Sequence, residues 1–194
     1  MKRAGAAGVR RRDMLLTAAV SLVAIAAVLL SLSVSPGVHG VLGAGLALLM
    51  LAIAVIDAHS FIIPDELTAA ALALALVNAA MQDPSSIMEG VIWSAVRGAA
   101  LAACFLAVRS VYELIRGRQG IGLGDVKLAA VAGAWLEWTT MPIAVEIAAL
   151  AALGGYALRQ VVGRRPVRAT GRLPFGLFLA PAIWLCWVLE TTVL

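Results

Sequence analysis

Long apolar runs alternate with short polar breaks along almost the whole chain. Stretches such as "LLTAAVSLVAIAAVLL" and "VLGAGLALLMLAIAVI" carry no charge at all. An apolar helix needs about 20 residues to cross a bilayer. By that measure the pattern predicts seven spans, at 14–34, 38–56, 67–82, 87–108, 126–138, 141–162 and 173–191. The breaks between them, "SVSPGVHG", "IIPDE", "QDPSS", "RSVYELIRGRQG", "WTTMP" and "GRRPVRATGR", hold the Pro, Gly and charge typical of helix boundaries. The fifth span is short; it begins inside the "GLGD" turn or sits where the membrane is thinned or wet. The expected fold is therefore all-α: a polytopic membrane helical bundle of about seven transmembrane helices. Its expected parts are a basic N-terminus with a first span, residues 1–37, and a six-span core, residues 38–194.

Composition agrees. Hydrophobic residues make up 62% and charged ones 13%, with a mean hydropathy of +0.99. A soluble domain has roughly 45–50% apolar and about 25% charged residues. The net charge of +4 does not point to nucleic acid, because the basic residues lie between the apolar spans. Cys104 and Cys186 are both inside apolar stretches, and His39 and His59 are far apart. Neither a disulfide framework nor a metal site has support.

Charge instead predicts orientation. Lys2, Arg3, Arg10, Arg11 and Arg12 precede the first span. Placing them in the cytoplasm also puts Arg109, Arg116, Arg118 and Lys127 there, with Arg159, Arg164, Arg165, Arg168 and Arg172. The opposite loops carry no Lys or Arg, so the expected topology is N-inside in the cytoplasmic (inner) membrane. The start also resembles a secretory signal, but its apolar run is longer than usual and no clean cleavage site follows.

This topology sets two aspartates on one side. Asp57 ends the second span in "AVIDAHSFIIPDELT", and Asp125 begins the fifth in "GIGLGDVKLAA". Ionisable groups at such positions are costly and are candidates for function. Either one alone reads as a helix cap. As a pair they read as a proton-sharing dyad, one supplying a general base and the other a general acid. The glycines at 120, 122 and 124 are expected to let another backbone approach and to allow a sharp turn before a helix. The helix dipole is expected to favour the Asp125 anion, which leaves Asp57 as the more often protonated carboxyl. Asp65 and Glu66 read either as first-turn dipole compensation or as contacts for a basic peptide. Lys127 reads as tuning Asp125 or reaching lipid phosphate. Arg97 and Glu146, both mid-span, read either as a mutual ion pair between spans four and six or as groups in a water-filled cavity, structural in either case. Trp135, Trp138, Trp184 and Trp187 are expected to anchor the outer interface.

Taken in order, Asp57 with "IIPDELT", then "GIGLGDVKLAAVAGAWLEW", then "LPFGLFLAP" resemble the type IV prepilin peptidases, membrane aspartic proteases of the GxGD type. The resemblance runs from about Leu46 to Leu189. It implies that Asp57 and Asp125 are the catalytic pair, that Gly122, Gly124, Asp65 and Glu66 contribute to substrate binding, and that neither metal nor other cofactor takes part. It also implies a prepilin or pseudopilin substrate, cut at the cytoplasmic face after a glycine that precedes the hydrophobic stem. The chain departs from the family in lacking a paired-cysteine cytoplasmic region, which argues for a peptidase-only form without methyl transfer. It reads "DAHSF" where an arginine often follows the first aspartate, and has Leu177 where a proline often stands. The competing readings are a proton-coupled transporter or a non-catalytic assembly subunit. A transporter places its ionisable groups near the midplane, often in repeated halves, and this sequence has neither feature. A presenilin-like protease is disfavoured by "VID" and "APAI", which lack that group's motifs.

Overall fold

A computed structural model describes the backbone of residues 2–163 and 174–193, with side chains for 14–158 and 174–193. The basic side chains of the N-terminus and of the "GRRPVRATGR" break lie outside the described residues. Seven helices make up the fold, and no strand occurs among the described residues. They are α1 (Lys2–Val34), α2 (Val38–Ser60), α3 (Asp65–Gln82), α4 (Ile87–Arg116), α5 (Leu123–Trp135), α6 (Met141–Gly163) and α7 (Gly176–Val193). Five of them, α1, α2, α4, α6 and α7, are long and apolar enough to cross a membrane. The protein is therefore a multi-pass membrane helical bundle. Two expected spans, α3 and α5, fall short. The first opens on Asp65 and Glu66, and the second has 13 residues, a rise of about 20 Å.

Local chemistry explains the helix ends. Gly37, at φ 91°, precedes α2, and Pro64 precedes α3, where its missing N–H costs nothing. Asp83 opens α4 by accepting from the Ser85 N–H at 2.8 Å and from the Ser86 hydroxyl at 2.8 Å. A departure from the sequence reading that matters for the site is at the other end of α4. The segment read as a break, "RSVYELIR", continues as helix until Gly117 adopts a left-handed φ of 65°. Nothing before Gly117 breaks a helix, so α4 runs on for about 45 Å, longer than a hydrocarbon core is thick.

Short α5 occupies the middle of the bundle, and every residue from 131 to 135 is buried. It packs most extensively on α4, and also on α3 and α7. Glycines make the first contact possible. A Cβ on Gly133 would lie 2.4 Å from the Arg97 carbonyl, and one on Gly98 would lie 2.8 Å from that of Ala130. Backbone rests on backbone here, as small residues permit between membrane helices. The Ser94 hydroxyl adds a bond to the Ala134 carbonyl at 2.7 Å.

Two expectations are corrected at this end of α5. Arg97 pairs with Glu137 at 3.2 Å, not with Glu146, which is exposed. Glu137 follows the end of α5, where the close α4–α5 contact brings it to Arg97. The tryptophans do not form one interfacial belt either. Trp135 and Trp187 are buried edge to face with centroids 6.4 Å apart, and the Trp135 indole donates to the Ala71 carbonyl. The Trp184 indole donates to the Ser31 hydroxyl, tying α7 to α1. A ring at the centre of a bundle removes more apolar area from surrounding solvent and lipid than one at its rim.

Candidate active site

Asp57 lies in the last turn of α2 and is 4% exposed. Directly after it the helix stops. Phe61 takes the left-handed conformation, φ 56°, and returns its N–H to the Asp57 carbonyl at 3.0 Å. The Asp57 carboxylate accepts from the Leu177 N–H at 2.9 Å. Leu177 is the second residue of α7, where backbone N–H groups have no intrahelical partner. A side chain from α2 thus does for α7 what a neighbouring cap residue does in other helices, and the positive end of that helix faces its charge. Gly176 is what allows the approach, since a Cβ there would lie 2.9 Å from Asp57 Oδ2 and 2.8 Å from Ile63.

Asp125 sits in the first turn of α5, outside the five membrane-crossing helices. Its Oδ2 accepts from the Gly122 N–H at 3.1 Å, half of a capping box. Burial pushes its carboxyl up to about 6; the Gly122 bond acts downward, and the charge of Asp57 adds to the rise. The donor at the helix start acts downward, as expected, and loss of solvent acts more strongly the other way. The glycines form the turn into α5. Space beside Gly124 is taken by Ile63 and beside Gly120 by the Tyr112 ring, while Gly122 faces the Asp125 carboxylate. These glycines seat the chain's own side chains around the turn.

Both aspartates line one cavity of about 910 Å³, open to the outside, at the end of the bundle where α2 stops and α5 and α7 begin. Gly122 and Gly124 line it too, joined by Tyr112, Arg118 and Phe175. Asp65 and Glu66 do not. Asp65 is on the surface, paired with Lys127 at 2.6 Å, so that lysine meets a carboxylate that neither of its expected roles included. The pair links residues of α3 and α5 at the surface. Among the described residues no group of His, Cys, Asp and Glu could hold a metal ion.

Three contributors escaped the sequence reading. Leu177 acts through its backbone, which has no side-chain signature. Tyr112 and Arg109 lie in the extension of α4 that was read as a loop; the Arg109 guanidinium donates to the Ile121 carbonyl at the head of the glycine turn. A signal was available, because "RSVYELIR" contains no helix breaker.

What the arrangement offers chemically is two carboxyl groups in one cavity, one beside each of two helix starts. A comparison with known proteins identifies the frame. The chain is 38% identical over 136 residues to a prepilin leader peptidase/N-methyltransferase of Burkholderia pseudomallei, covering 70% of this chain and 42% of that protein. It is 33% identical over 132 residues to the leader peptidase HopD of Salmonella typhimurium, covering 68% and 82%. HopD of Escherichia coli is 32% identical over 127 residues, covering 65% and 78%. The chain spans less than half the length of the Burkholderia protein and most of the length of the two HopD proteins. No solved structure gives a significant match. The sequence profile of the type IV leader peptidase family matches residues 44–157, which run from α2 through α6 and include Asp57, Asp125 and the glycine turn, and the chain belongs to that family.

Proposed function

We propose that the protein is a membrane aspartic endopeptidase that removes the leader peptide of prepilins or pseudopilins, with Asp57 and Asp125 as its catalytic pair. The observation that carries this reading is the shared cavity: carboxylates from distant parts of the chain line it together at one end of the bundle. The names of the relatives agree, being those of leader peptidases. The ionised carboxyl takes a proton from water as its oxygen attacks the scissile carbonyl. The protonated carboxyl stabilises the oxyanion and then protonates the departing amine. A helix hides its carbonyls within its own hydrogen bonds, so the substrate must unwind where it is cut. Apolar helix surfaces then hold its hydrophobic stem.

Orientation follows the positive-inside pattern: N-terminus in the cytoplasm, cavity at the cytoplasmic face of the inner membrane. Residues 38–194 form the catalytic core in this reading, with α1 packed against α2. Gly122 and Gly124 line the binding cavity, and Asp65 and Glu66 meet substrate only beyond its edge. The transporter and assembly-subunit readings are not favoured. To test the proposal, purified protein in lipid nanodiscs is mixed with a prepilin bearing its leader, and the product is followed by gel mobility. Shortening by the wild type, absent with Asp125→Asn, supports the proposal. Equal amounts of intact prepilin with both, across several pilin classes, overturns it.

A further inference from the structure

Arg109 stands in the polar extension of α4 and is 9% exposed. Among the described residues the ion pairs are Arg97–Glu137 and Lys127–Asp65, so no described carboxylate neutralises Arg109. A buried cation without a counter-charge is costly, and such residues are retained for a reason. Its guanidinium donates to the carbonyl of Ile121. That carbonyl and the Gly122 N–H are two ends of a single peptide unit, and the Gly122 N–H is the donor to Asp125 Oδ2 at 3.1 Å. A trans peptide is planar, with its C=O and N–H pointing in opposite directions. A cation held at the oxygen therefore fixes where the N–H points. It also draws electron density toward the oxygen, which makes the N–H a stronger donor.

We propose that Arg109 is a positioning residue for Asp125, acting through the Ile121–Gly122 peptide unit and not by touching substrate. Arg109 sets the tilt of this peptide, and its charge reaches the carboxylate along two linked hydrogen bonds. The consequence for turnover rests on the peptidase reading above; the effect on the Asp125 proton does not. Other groups facing Asp125 are accounted for. Asp57 comes from α2 with the opposite influence, Lys127 is held by Asp65 of α3, and Tyr112 and Arg118 line the same cavity. From α4 the cavity also receives the Cys104 thiol, and from α6 and the segment before α7 it receives Val145, Pro174 and Phe175, which carry no charge.

The experiment titrates Asp125 directly, by infrared carboxyl bands of protein labelled with carbon-13 aspartate in nanodiscs, with Asp125→Asn identifying the band. Arg109→Met, which keeps the stem and removes charge and donor, is expected to move the midpoint upward by about half a pH unit or more. Arg109→Lys, which keeps the charge without the fork, is expected to move it less. Should the methionine variant fail to insert, the lysine variant decides, a rise of a few tenths supporting the proposal and none overturning it. Gly122→Pro removes the N–H at a backbone φ of −72° that proline accepts. It should raise the midpoint too, and adding Arg109→Met to it should raise it no further. Fully additive shifts, or an unchanged midpoint in inserted Arg109→Met, overturn the relay. Turnover read beside it separates the two claims. Shifted midpoints in a protein that cuts no prepilin would sink the peptidase reading and leave the relay standing. In an active enzyme, kcat falls with KM within about twofold and the pH profile follows the midpoint upward.

Discussion

At the scale of single residues, the site is built from carboxylates held by backbone N–H groups of helices they do not belong to or are only beginning. Asp57 and Asp125 were legible in the sequence because a charge beside an apolar run has few reasons to be there. Their partners were not, because Leu177 donates from its main chain across 120 positions and Gly176 contributes by what it lacks. Gly176→Ala tests that arrangement. Its Cβ would lie 2.9 Å from the Asp57 carboxylate, and the two must separate. We expect kcat to fall by about tenfold or more, with the helical circular dichroism retained, since small displacements of a catalytic group cost heavily. Wild-type kinetics in the alanine variant would contradict this role. The pH dependence follows from the same residues. Asp125, raised to about 6, is protonated below that value and ionised above it. In the proposed mechanism two carboxyls share one proton, so activity is expected to be lost at low pH when both are protonated and at high pH when neither is. The rate should trace a bell with one limb near 6. A flat profile across roughly pH 5–8 contradicts the dyad.

At the scale of elements, the positions of the helices were readable and their lengths less so. Hydrophobicity marks where a helix enters lipid but not where it stops, and α4 continues through a polar segment that no glycine or proline interrupts. That extension delivers Tyr112 to the cavity and Arg109 to the Ile121 carbonyl of the glycine turn. The pairing of Arg97 was misread for a related reason: sequence shows which residues are charged, while the contact of Gly98 with Gly133 decides who meets whom. That contact also gives a prediction. In Gly133→Ala the new methyl would lie 2.4 Å from the Arg97 carbonyl, forcing α4 and α5 apart. Overpacking of this kind costs about 1–3 kcal/mol, so the melting temperature in detergent should drop and activity with it. An unchanged melting temperature would show that the helices have room to spare. The Lys127–Asp65 pair is different. Both side chains are largely open to solvent, at 48% and 71%, and such pairs are worth about 0–1 kcal/mol. Lys127→Ala should leave the melting temperature almost where it was. A fall as large as that of Gly133→Ala would mean the pair is a structural tie between α3 and α5.

At the scale of the whole molecule, one end of the bundle is occupied by the carboxylate cavity and the other by the Arg97–Glu137 pair, where Glu190 accepts from the Glu137 N–H at 2.7 Å. The all-helical architecture was legible in the apolar runs, and the seven-span count also set Asp57 and Asp125 on one side. Two of those runs, α3 and α5, nevertheless fall short of a crossing, and it is the packing that brings both aspartates to one cavity. The cavity between them was not legible, since its walls come from helix packing and from a turn of glycines filled by Ile63 and Tyr112. The central claim is that the two carboxylates act together to cut a leader peptide, and one measurement reaches it directly. A prepilin is co-expressed in turn with the wild type, Asp57→Asn and Asp125→Asn, and its intact mass is determined. The account predicts loss of a short leader, after the glycine that precedes the hydrophobic stem, with the wild type, and a drop in cleavage on the order of 10²–10⁴-fold with either variant. A prepilin trimmed equally by a variant lacking one aspartate would contradict the dyad.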